Sequence, residues 1–121
     1  MCIRPSIHPD NGAVLICRKC WSCIKNRIHD VAGRGMAELA YSNHAVFLTL
    51  TFSDANLQAV RDLGHEFWSP WYLNYRRRQL RQETNVRYMR SFEIGPSKYR
   101  EHFHGILFYT GPNKPKLDFG A

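Results

Sequence analysis

"VRYMRSFEIGPSKYREHFHGILFY", residues 86–109, holds two strand-like runs joined by a short link that contains Gly95 and Pro96. Side chains alternate faces along a strand, so Phe103 and Leu107 point one way while His102 and His104 point the other, roughly 7 Å apart along the chain. The short link predicts an antiparallel hairpin over 86–94 and 101–109. A turn centred on residues 98 and 99 would set Glu93 opposite His104. Any register whose paired numbers add to an odd sum keeps Glu93, with Met89 and Ser91, on the histidine face. Two imidazoles and a carboxylate from neighbouring strands are a donor set for a divalent cation. Three such ligands leave coordination positions open, as catalytic metal sites do. The plainer alternative is two histidines that are each satisfied by a hydrogen bond.

The rest of the chain supplies a frame for that hairpin. "AVFLTLTF" (45–52) alternates Val46, Leu48, Leu50 and Phe52 with Thr49 and Thr51 and predicts a third strand in the same antiparallel sheet. A helix is expected from about Ser22 to Tyr41, with Ile24, Ile28, Val31 and Leu39 at three-to-four spacing, although Gly33 and Gly35 weaken it. "SDANLQAVRDLG" (53–64) reads as a short helix closed by Gly64. "SPWYLNYRRRQLRQET" (69–84) reads as a longer one with Ser69 as N-cap and Pro70 at its first position, and with Trp71 and Leu73 in the core. Residues 1–16, with Pro5, Pro9 and the turn signal "DNG", read as an irregular arm, and 110–121 as a loop. The expected class is α+β, an antiparallel sheet with helices packed on its faces. The expected organisation is one domain over 1–121: an arm to residue 21, a core over 22–109 and a tail.

Seventeen Lys and Arg against ten Asp and Glu give a formal charge of +7, an excess that points to a polyanionic partner, nucleic acid above all. Arg76, Arg77, Arg78, Arg81, Arg87 and Arg90 are concentrated beside Trp68, Trp71, Tyr72 and Tyr75. Guanidinium groups that neutralise phosphate, with aromatic faces that stack on bases, suit a single strand. The alternative is a solvated helix face over core aromatics. No secretory signal opens the sequence and no apolar run is long enough for a membrane span, so a cytosolic setting is expected. Clustered thiols there read as metal ligands or free thiols before disulfides. Cys17, Cys20 and Cys23 stand in "CRKCWSC", and Cys2 or His29 is available to complete a zinc shell. Packing as small buried hydrophobes or an iron–sulfur cluster are the other readings.

Several of these segments, in order, resemble one family. "HFHGILF" resembles the His-hydrophobe-His motif of HUH endonucleases, which nick single-stranded DNA in rolling-circle replication. "VFLTLTFSDANL" looks like the first strand motif of the replication initiators of gokushovirus-like single-stranded DNA phages. "VRYMRSFEIGPSKYREHFHGILF", "CRKCWSC" and "RRRQLRQ" are similar to those proteins' metal-strand region, amino-terminal cysteine cluster and basic helix. The resemblance runs from about Cys2 to Tyr109. It implies an HUH/RRM-like core and a Mg²⁺ or Mn²⁺ ion held by His102, His104 and Glu93 that polarises the scissile phosphate. It also implies single-stranded DNA at a replication origin and the host replication machinery as partners, in the host cytoplasm, with no membrane. The family's nucleophilic tyrosine follows the pair on a separate helix. Here Tyr109 lies on or just past the metal strand, so the nucleophile is expected beyond Ala121, or the chain is a remnant without the nucleophilic tyrosine. The competing reading is a non-catalytic, zinc-stabilised nucleic-acid-binding module. A histidine-triad nucleotide hydrolase would need a further alternating histidine where Ile106 stands.

Overall fold

A computed structural model describes residues 1–97 and 99–119. The class is α+β: three helices, a three-stranded antiparallel sheet and a two-stranded one. The described chain divides into two compact units, Met1–Ala37 and Glu38–Ala121, with the boundary inside the first long helix.

In the first unit the expected arm carries a small hairpin, β1 (Ser6–Ile7) against β2 (Val14–Leu15). Its reversal uses the "DNG" signal. Gly12 takes the left-handed φ of 68°, and its N–H donates to the His8 carbonyl at 3.0 Å. Helix α1 (Trp21–Tyr41) then runs through both Gly33 and Gly35. Its expected apolar stripe forms as a stripe but stays exposed, from 42% at Val31 to 63% at Ile28. Among residues 1–37 only Ser22 and Cys23 are buried.

In the second unit β3 (His44–Leu50), β4 (Asn85–Ile94) and β5 (Glu101–Thr110) form one antiparallel sheet in the order β3-β5-β4. The strand that carries His102 and His104 is therefore central, bonded on both edges. Val46, Leu48 and Leu50 share a face with Phe103, Gly105, Leu107 and Tyr109, and Val86 joins them from β4. Helix α3 (Trp68–Leu80) seals that face with Trp68 and Tyr75, both fully buried. Gly105 is what lets Trp68 lie against the strand: a Cβ there would stand 2.9 Å from the indole and 3.3 Å from the Met89 carbonyl.

Three expectations change in detail. Helix α2 (Asp54–Leu63) ends at Gly64 as foreseen, but a 3-10 turn, Gly64–Phe67, runs straight into α3. Trp68 is thus already helical, Ser69 caps nothing, and Pro70 sits inside the first turn of α3, where proline is tolerated. The helix stops at Leu80, where the Gln79 carbonyl accepts the N–H groups of Gln82 and Thr84, and Leu73 is exposed. The tail from 111 to 119 is irregular, as expected, but returns to α3. The Lys116 carbonyl accepts bonds from Tyr75 Oη and Gln79 Nε2, and Phe119 packs on Tyr75.

Candidate metal centre

The hairpin decides where the donors fall. Gly95 N–H donates to the Arg100 carbonyl at 2.8 Å, and Tyr99 N–H donates back to Gly95 at 3.0 Å. These bonds close the hairpin between Gly95 and Arg100, with Tyr99 at φ 51°. Lys98, half of the expected turn centre, lies outside the described residues. The register adds to 195 rather than 197, so Glu93 faces His102 and Ser91 faces His104. A slip of two residues preserves parity, so Glu93 remains on the histidine face.

On that face one carboxylate oxygen of Glu93 lies 3.3 Å from His102 Nε2 and 3.5 Å from His104 Nε2. The three donor atoms lie within 4.8 Å of one another. An ion with ligands at about 2.1 Å sets neighbouring donors about 3.0–3.4 Å apart, close to the two separations at the Glu93 oxygen. Each imidazole is also held from behind. His102 Nδ1 is 3.3 Å from the Arg100 carbonyl, and His104 Nδ1 is 3.1 Å from Thr49 Oγ1 on β3. A bond at Nδ1 orients the ring and leaves Nε2 for an ion. The Phe47 ring stacks on His104 at 5.8 Å and is itself 69% exposed, so the site lies at an exposed place on the sheet face opposite α3.

Helix α2 anchors the start of β5. Arg100 donates to Asp54 and to the Phe52 carbonyl, both at 2.7 Å, and Arg61 Nε bonds both carboxylate oxygens of Glu101. Thr49 and this clamp escape a reading of the sequence. The alternation of Thr49 with Leu48 and Leu50 is the one local signal, and it does not say which strand lies beside β3.

The four cysteines also converge. Their sulfurs all lie within 4.8 Å, with Cys17–Cys23 and Cys2–Cys20 each at 3.9 Å. A tetrahedral ion with Zn–S bonds of about 2.3 Å requires an edge of about 3.8 Å, and an S–S bond of about 2.05 Å is far shorter. Backbone N–H groups of Cys17, Cys20 and Cys23 point at the sulfurs of Cys2, Cys17 and Cys20. N–H donors at Ile3 and Cys23 lower the Cys20 thiol to about 6, and that of Cys17 lowers Cys2, whereas burial pushes Cys23 up to about 12. His29 is not part of the cluster.

The arginines lie elsewhere. Arg76, Arg77, Arg78 and Arg81 belong to α3 and its end, in the layer over the apolar face and not on the histidine face. Arg78 and Arg81 line a hollow of about 360 Å³ with Lys116 and Asp118. Arg87 is on the histidine face, paired with Glu38 at 2.9 Å. Tyr109 faces the core with its hydroxyl 2.8 Å from that of Tyr75, and burial, then Tyr75, raises its pKa. Comparison with protein-family models, with curated proteins and with solved structures finds no match.

Proposed function

We propose that the chain is the metal-binding core of an HUH-type initiator of rolling-circle replication, acting on single-stranded DNA in the cytoplasm of a phage-infected host. One observation carries the reading: a single Glu93 oxygen lies between the Nε2 atoms of His102 and His104 on the face of a three-stranded sheet opposite α3. Those three residues would hold Mg²⁺ or Mn²⁺, which supplies charge neutralisation at a scissile phosphodiester. The chain's own part is positional. Thr49 and the Arg100 carbonyl fix the two rings, α2 fixes the start of the strand, and the basic surface holds the polyanion. Tyr109 takes no part in the chemistry, being buried on the opposite face. On the same reading the four cysteines bind zinc as a closed, structural site.

The burial of Tyr109 also favours a second reading, a zinc-stabilised module that binds nucleic acid without cutting it. The two part over the open site. A ligand that binds only the folded state raises the melting temperature as its concentration rises. Mn²⁺ should therefore stabilise the zinc-loaded chain, and the His102→Ala, His104→Ala double variant should lose that shift. An equal shift in the variant would leave the module reading standing.

A further inference from the structure

The unit Met1–Ala37 has no apolar core to hold it. Ile7, Val14, Ile16, Trp21, Ile28 and Met36 are each more than half exposed. Only Ser22, which bonds the Met1 amino group at 3.1 Å, and Cys23 are buried. A chain of this length does not fold on such burial, because ordering each residue costs about 1–2 kcal/mol of backbone entropy. What does converge is the set of four sulfurs. Cys2 comes from the first residues, Cys17 and Cys20 from the segment after β2, and Cys23 from the first turn of α1. One ion would thus tie together the start of the chain, the β1–β2 hairpin and the helix.

We infer that a tetrathiolate zinc ion is the core of Met1–Ala37: this unit folds when the ion binds and unfolds when it leaves, while the sheet of Glu38–Ala121 stays folded in both states. The inference rests on the reading of the cysteines as a zinc site and adds that the binding free energy is the folding free energy of this unit. The sheet unit has its own buried cluster of Trp68, Tyr75, Phe103, Leu107 and Tyr109, so it does not depend on the metal.

The test uses the full chain, reduced and stripped of metal, with Co²⁺ as an optical probe and hydrogen exchange read peptide by peptide with and without Zn²⁺. One equivalent of Co²⁺ should give thiolate-to-metal charge transfer, which the donors Glu93, His102 and His104 cannot produce, and Zn²⁺ should displace it. Zinc should slow exchange in peptides from 1–37 by about a hundredfold and in peptides from 85–110 by less than about twofold. The Cys17→Ser, Cys20→Ser variant should keep the sheet protection and gain none in 1–37. A thiolate spectrum with 1–37 already protected in the metal-free chain would overturn the inference and leave the zinc site intact. Absence of the thiolate spectrum would remove both. Zinc protection of 1–37 in the double-serine variant would also overturn it, since the ion would then act from elsewhere.

Discussion

His102 and His104 each use one ring nitrogen to hold position and present the other to Glu93, so the two contacts at Nδ1 should matter to metal binding more than to folding. Thr49→Val keeps the shape of the side chain and removes the partner of His104. It should weaken Mn²⁺ binding about tenfold, the low end for removal of such a partner, with the melting temperature of the metal-free chain nearly unchanged. A Mn²⁺ titration followed by electron paramagnetic resonance reads this directly, and an unchanged affinity would separate Thr49 from the site. Tyr109 is the opposite case. Tyr109→Phe should lower stability by about 1 kcal/mol, because a buried hydroxyl pair is broken while Tyr75 keeps the Lys116 carbonyl. DNA binding and any cleavage should be untouched, and a loss of cleavage in that variant would show that the nucleophile has been misplaced. Glu93 was legible in the sequence because face membership depends only on parity, which survived the two-residue difference in register. Thr49 was not, because its partner is 55 residues away and local periodicity carries no information on strand order.

Gly105 joins sequence to packing at the next level up. Its missing side chain admits the Trp68 ring, which is fully buried and held against Trp71, Tyr88 and Phe103, so the ring cannot yield. Gly105→Ala should therefore destabilise the sheet unit by about 1–3 kcal/mol, as overpacking does, measured by urea unfolding. A neutral result would mean that Trp68 can shift. The strands and helices themselves were readable because alternation and three-to-four spacing are local properties. Ser69 has the residue type of a cap but is none, because the 3-10 turn before it supplies helical geometry that no residue type announces. The stripe on α1 shows the other limit. Ile24, Ile28, Val31 and Leu39 have the spacing of a buried face, yet spacing does not state what covers it, and each remains at least 42% exposed.

The charge of +7 is expected to act as a field over the surface, with the α3 arginines on one layer and the metal ligands on the other side of the sheet. Single-stranded DNA binding should weaken steeply with salt. Arg76→Ala, Arg77→Ala and Arg81→Ala together should reduce the log–log slope by about 0.7 for each phosphate that is no longer neutralised. Fluorescence anisotropy across a salt series measures this, and an unchanged slope would place the DNA elsewhere. The proposed chemistry depends on one ion at the hairpin. The most direct measurement is paramagnetic broadening of amide signals by substoichiometric Mn²⁺ in the zinc-loaded chain. Signals of Thr49, Ser91, Glu93, His102 and His104 should broaden first, and the effect should vanish in the His102→Ala, His104→Ala variant. Broadening centred on other residues, or surviving the double substitution, would contradict the metal centre and with it the proposed chemistry.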